Sequence, residues 1–191
     1  LYMADGPWGL DYLSAETAIS DFQVANPPIT ATADAYAIER NVAVSGQVKG
    51  TLNVFRNLLP GELTFDATAY AAVGFTIQNS LPMEVVLVTE NTTDWNNRLR
   101  FQLPAHASAT DLEIALDDFT NSAGAHFNNE KIKGFVFSVA GNYTSFQDFT
   151  TSIANLQLRT TASTLGITSL ESAGADVAYT YPNPAHGLTT L

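Results

Sequence analysis

Met83-Glu84-Val85-Val86-Leu87-Val88-Thr89-Glu90, a loop over 91–97, and then Arg98-Leu99-Arg100-Phe101-Gln102-Leu103 decide the fold. Within the first run, Met83–Val88 is apolar on both alternating sets apart from Glu84, which fits a strand covered on both faces near the middle of a sheet. The second alternates cleanly. Leu99, Phe101 and Leu103 point one way, into a core, while Arg98, Arg100 and Gln102 stand on an accessible face. Two such strands joined by a polar loop make a hairpin, and the rest of the chain repeats the pattern.

Short apolar runs rich in β-branched and aromatic residues recur, divided by Gly, Pro, Asn and Asp. Beside Met83–Glu90 and Arg98–Leu103, strands are expected at Ile19–Ala25, Tyr36–Val44, Gly50–Arg56, Glu62–Asp66, Ala72–Gln78, Thr110–Ala115, Ile132–Val139 and Ile153–Arg159. The breaks carry turn chemistry, as in Leu59-Pro60-Gly61, Asn79-Ser80-Leu81-Pro82 and Gly141-Asn142. Asp66–Tyr70 reads as a single turn. No long amphipathic helix is evident. The expectation is an all-β antiparallel β-sandwich, a jelly roll, over residues 19–159.

Residues 1–18 read as a connection from an upstream domain, and nothing at the start has the form of a basic-then-apolar leader. Thr, Ser, Ala and Gly dominate 160–178, as in a linker. Residues 179–191 then hold Tyr181-Pro182-Asn183-Pro184-Ala185. The two prolines force an extended start and disfavour helix at Asn183.

The totals narrow the functional classes. Of 191 residues, 46% are hydrophobic and 14% charged, enough to build a core. Nineteen acidic against 8 basic residues give a net charge of −11. That balance disfavours nucleic acid and anionic membrane, which want clustered cations. Neutral sugars or a cation such as Ca²⁺ suit it better. With no cysteine there is no disulfide, thiolate zinc site or cysteine nucleophile. No apolar run is long enough to span a bilayer as a helix.

Catalytic signatures are also missing. His106, His126 and His186 read as loop residues without zinc spacing, and no nucleophile elbow or phosphate-cradling loop occurs. The expectation is a non-enzymatic domain.

Thr89–Arg100 is the segment with binding chemistry. It sets Trp95 among Asn91, Asp94, Asn97, Arg98 and Arg100. A sugar stacks its C–H face on such a ring, while amides, carboxylates and guanidinium groups take its hydroxyls. The competing reading folds Trp95 back onto the sandwich, spends Asp94 and the asparagines on the turn, and pairs the arginines with Glu84 or Glu90. Trp8 and Tyr12 could form a second platform, or Trp8 could pack on a preceding domain or the sandwich edge. Tyr143 and Phe146 could rim a site. Asp117-Asp118 is the only adjacent acidic pair and the candidate for a structural Ca²⁺, against a solvated turn or cap.

Asp66–Gln78 followed by Met83–Leu103 resembles part of a jelly-roll carbohydrate-binding module of the galactose-binding-like type. There an Asp or Ser near a Tyr opens a strand, and a hairpin follows whose turn carries polar residues and a Trp. Such a domain ends on a strand of the kind Ile153-Ala154-Asn155-Leu156-Gln157-Leu158. The resemblance implies a polysaccharide partner and admits a structural calcium ion. Tyr181–Ala185, after its linker, resembles the opening of the type A sorting domain on cargo of the type IX secretion system of the Bacteroidota. That implies export across the outer membrane, a secreted or surface-anchored location and the secretion machinery as a partner. Two other roles stay open: a structural or adhesin spacer, and an accessory domain packed on an upstream glycoside hydrolase.

Overall fold

The computed structural model describes residues 8–27 and 34–160. It is an antiparallel β-sandwich of the jelly-roll type, built from eleven strands among the described residues. These are β1 (Trp8–Tyr12), β2 (Thr17–Ala25), β3 (Ala35–Ala37), β4 (Asn41–Val48), β5 (Thr51–Asn57) and β6 (Ala72–Asn79). They continue with β7 (Met83–Thr89), β8 (Leu99–Leu103), β9 (His106–Ala115), β10 (Ile132–Ala140) and β11 (Gln147–Arg159). One sheet, A, runs β1-β5-β10-β7-β8; the other, B, runs β2-β4-β11-β6-β9, with β3 added beside β11. Among the described residues no helix is long and apolar enough to cross a membrane.

Alternation builds the core. Leu52, Val54, Val85, Leu87, Phe135, Phe137 and Val139 of sheet A face Val42, Val44, Phe75, Ile77, Phe149 and Ile153 of sheet B, all buried. Burying such a side chain contributes roughly 1.5–3 kcal/mol, so two faces of them hold the layers together. β7 matches the expectation of a strand covered on both faces, and β10 beside it is covered in the same way. Val86 and Val136 are buried on the outer side as well, next to each other in register.

Three expectations need correction. First, the sandwich starts earlier than residue 19. Trp8–Tyr12 pairs with β5, and Trp8 is buried against Phe137 with its indole N–H donating to the Arg40 carbonyl at 2.9 Å. Trp8 is therefore a core residue, and no platform forms from it and Tyr12. Second, Tyr36–Val44 is two strands. The chain breaks at Arg40, whose φ of 73° is left-handed, opposite a bulge in β11 between Ala154 and Gln157. Asn155 sits in that bulge and its N–H donates to Asn41 Oδ1 at 3.1 Å, so break and bulge accommodate one another. Third, Glu62–Asp66 is no strand. Pro60–Glu62 forms a 3-10 turn with Gly61 at φ 66°, and only Phe65 bridges to Ile132.

The turn after Asp66 appears as expected. Its carboxylate accepts from the Thr68 N–H at 3.0 Å and from the Thr68 hydroxyl at 2.8 Å. The backbone bond, then the hydroxyl, holds the Asp66 carboxyl below its ordinary value.

Asn79 ties two hairpins together. Fully buried, it donates to the carbonyls of Leu81 (2.7 Å) and Pro104 (3.0 Å) and accepts from the His106 N–H (3.1 Å). Replacing it with leucine is expected to cost about 2–4 kcal/mol, because three backbone groups lose their partner together. Urea denaturation at unchanged slope checks this, and a midpoint equal to wild type refutes it.

Candidate functional site

The outer face of sheet A is where the sequence breaks the polar-out habit. Along β5, Leu52, Val54 and Arg56 point inward, leaving Thr51, Asn53, Phe55 and Asn57 on the outside. Register then sets their neighbours. Asn53 lies beside Asp11 and, on the other side, Ser138, Glu84 and Gln102 in a row. Phe55 lies between Gly9 and Val136, followed by Val86 and Arg100.

Gly9 is required there. A Cβ on it would stand 2.3 Å from Phe55 Cζ, so the phenyl ring lies directly across the strand edge. An aromatic ring covering an edge glycine is a known way to hold a strand that cannot pack its own side chain. It also gives the face an apolar floor. Gly9→Val is expected to tip the Phe55 ring off β1 and lower thermal stability by about 1–3 kcal/mol, read by calorimetry. A variant melting like wild type would show the ring free to yield.

Over this floor opens a groove of about 630 Å³, lined by Asp11, Asn53, Phe55, Asn57, Lys133 and Trp95 among others. Asn53 Nδ2 donates to Asp11 at 3.3 Å. Lys133 carries no ion pair among the described residues. A second, smaller cleft of about 410 Å³ lies over sheet B. There Thr76 donates to Asp111 at 2.5 Å, Asn155 donates to Thr76 at 3.1 Å and Arg159 pairs with Glu113 at 3.1 Å. Thr76, Asp111, Asn155 and Arg159 are thus engaged with protein partners, and none of the exposed large rings among the described residues lines this cleft. The sheet A groove has both aromatic surface and polar groups to offer.

Trp95 enters the groove from the β7–β8 loop. Thr92 Oγ1 accepts the Thr89 N–H at 3.0 Å, and Asp94 caps a 3-10 turn at Trp95–Asn97 by accepting the Asn96 N–H at 2.9 Å. The ring ends 42% exposed, outside the core. The Arg98 guanidinium lies over it, 5.0 Å from the centroid, and donates to the Trp95 carbonyl at 2.8 Å. Glu84 then braces the whole row. It accepts from Arg98 Nε at 2.5 Å and Gln102 at 3.1 Å and stands 3.6 Å from Arg100.

Of the six residues expected to bind, Trp95, Arg98 and Arg100 share this face. The Asp94 carboxylate caps the turn, while the Asn91 N–H donates to Thr89 Oγ1 at 3.3 Å and its side chain is exposed in the same loop. Asn97 accepts from Ser122 at 3.1 Å, away from the groove. Asp11, Asn53, Phe55, Asn57 and Lys133 were missed. They come from three strands, so nothing local announces them. The one available signal was the opposite-face reading of β5.

Asp117 and Asp118 lie exposed in a 3-10 turn at Leu116–Asp118. His126 Nδ1 is 2.6 Å from the Asp117 carbonyl and 3.7 Å from its carboxylate. Among the described residues no group of three or more acidic, imidazole or thiol side chains is placed to hold a metal ion. Tyr181, Pro182, Asn183, Pro184 and Ala185 lie outside the described residues.

No protein-family model matches the chain, and no curated protein does. Solved structures with a similar fold include the family 11 carbohydrate-binding module of the cellulosomal cellulase Lic26A-Cel5E of Clostridium thermocellum. That match has 14% identity and a TM-score of 0.49, over 83% of this chain and 93% of that one. A family 11 module from the same organism, in complex with a β-1,3-1,4-mixed-linked tetrasaccharide, matches at 13% identity and a TM-score of 0.49. It is covered to 88%, by 80% of this chain. A family 29 module from Piromyces equi matches at 10% identity and a TM-score of 0.45, over 88% of this chain and 98% of that one.

Chemically, the groove offers an exposed indole, a phenyl floor, amides on Asn53 and Asn57, the Asp11 carboxylate and the Lys133 ammonium. Such a set is chemically suited to a ligand with alternating apolar and hydroxyl surface.

Proposed function

We propose that the chain is a non-catalytic carbohydrate-binding module whose site is the outer face of sheet A. The observation that carries this is Trp95, half-exposed on an open groove beside polar groups that no turn consumes. A pyranose ring stacks its C–H face on the indole, and Asn53, Asn57, Asp11 and Lys133 take its hydroxyls. Arg98 and Arg100, tied to Glu84, hold the indole and the groove wall rather than bind sugar directly. The sequence signal Tyr181–Ala185 supports a secreted or surface-anchored protein, exported by the type IX machinery, in which this module holds its neighbours on a polysaccharide.

The test is affinity electrophoresis through gels containing mixed-linkage β-glucan, hydroxyethylcellulose, xylan, mannan, laminarin or alginate. Retardation by one or more polymers supports the reading; free passage through all of them removes it. Running each gel with Ca²⁺ and with chelator reads whether an ion at Asp117 and Asp118 contributes. Loss of the full-length protein from the cell exterior in a strain lacking the type IX channel tests the address.

One observation favours a second reading, an accessory domain packed on a neighbouring domain. Tyr12 and Leu13, at the β1–β2 turn, are 40% and 67% exposed. Apolar side chains grouped at a sandwich end suit a domain contact.

A further inference from the structure

The β10–β11 turn places a second ring on the same face. Tyr143 has a φ of 61°, uncommon for an aromatic residue and a sign that the surroundings dictate the backbone. The cause is visible. Asn142 Oδ1 accepts from the N–H groups of Thr144 and Ser145 and from the Thr144 hydroxyl, each at 2.9 Å, which tightens the turn. The Tyr143 N–H donates to the Lys49 carbonyl at 2.8 Å. At the other end of the side chain the phenol oxygen is 2.8 Å from Thr51 Oγ1.

Thr51 shares the outer face of β5 with Asn53, Phe55 and Asn57. The phenol is thus pinned to the far end of the strand whose near end meets Trp95, while 61% of Tyr143 stays exposed. A ring pinned at both its backbone and its hydroxyl has already lost its rotamer freedom, so stacking on it costs little further entropy. Asn57 lies six residue steps along β5 from Thr51, about 20 Å at the ordinary rise. That span exceeds a single sugar several-fold. Between the rings, on the outer face of β5, lie the Asp11–Asn53 pair and the Phe55 floor.

We propose that Tyr143 is the second stacking platform of this groove, and that the ligand is an unbranched glycan chain lying along β5 and held through internal residues. This rests on the groove reading above. A ligand gripped at its terminus would need one closed end, whereas here both ends carry a platform.

Calorimetric titration with size-fractionated oligosaccharides, cut from whichever panel polymer retards the wild type, tests it. Tyr143→Ala is expected to weaken hexasaccharide binding about five- to tenfold and leave trisaccharide binding unchanged. Trp95→Ala weakens both. Tyr143→Asn, which accepts the left-handed backbone, keeps the turn and should reproduce the alanine result. A folded Tyr143→Asn protein that binds hexasaccharide like wild type overturns the second platform while leaving the Trp95 site standing. A wild type that binds no polymer overturns the groove reading itself.

Discussion

Trp95→Ala is expected to abolish retardation in the binding gel while the protein melts within a degree or two of wild type. Affinity should fall at least tenfold, on the order of 1.4–3 kcal/mol, the range for an aromatic anchor at the centre of a binding patch. The fold should survive for a specific reason. The indole is 42% exposed and packs on Arg98, and Arg98 keeps two of its contacts without it. Its Nε bond to Glu84 and its bond to the carbonyl of residue 95 need no ring. Trp95→Phe should retain part of the affinity, because a smaller ring still presents a face. An alanine variant that unfolds would make Trp95 a core residue. One that binds like wild type would move the site elsewhere.

The largest stability effect is expected from Arg56, which the sequence presents as an ordinary strand charge and the structure buries completely. Its Nη2 donates to the Glu39 carbonyl at 3.0 Å, its Nη1 to the Asn57 carbonyl at 3.4 Å, and its guanidinium lies 6.0 Å from the Trp8 ring. Glu39 sits in the break between β3 and β4, where no ladder partner is at hand, so this arginine does the work of a strand bond. Arg56→Ala removes a charge-assisted bond and opens a cavity beside Trp8. About 3–5 kcal/mol should be lost. For a domain of this size that is roughly 6–20 °C in Tm. Arg56→Met refills most of the volume and should recover part of the loss. A Tm within two degrees of wild type for Arg56→Ala would mean the Glu39 carbonyl finds water instead.

These two residues also show what the sequence could and could not disclose. β7, β8 and β10 were legible because alternation, or its absence, is a local property. Leu99 and Leu103 are buried as their spacing requires, and Arg100 and Gln102 are on the accessible face. The Pro60-Gly61 and Asp66 turns were partly legible for the same reason. β1 was not. Trp8-Gly9-Leu10-Asp11-Tyr12 has only five residues and a glycine where a strand wants a side chain. It is a strand because Phe55, far away in sequence, covers that glycine. The split of Tyr36–Val44 depends likewise on a bulge in β11, and nothing near Arg40 announces it. The site divides along the same line. Trp95 stands out locally as one of two tryptophans in a polar loop. Asn53, Asn57, Asp11 and Lys133 acquire meaning only when three strands are placed side by side.

Sheet order has a consequence for how the molecule comes into being. β10 is the middle strand of one sheet and β11 the middle strand of the other, and among the described residues they are the last two strands made. Before Ile132 leaves the ribosome, the described strands can form only four separate two-strand ribbons: β1 with β5, β2 with β4, β6 with β9 and β7 with β8. A lone ribbon is marginal in water. Closure must therefore wait for the final strands to slot between pre-existing edges, a late, long-range step that sets a slow clock for folding. Until then the growing polypeptide remains loose enough to be kept extended by whatever handles it.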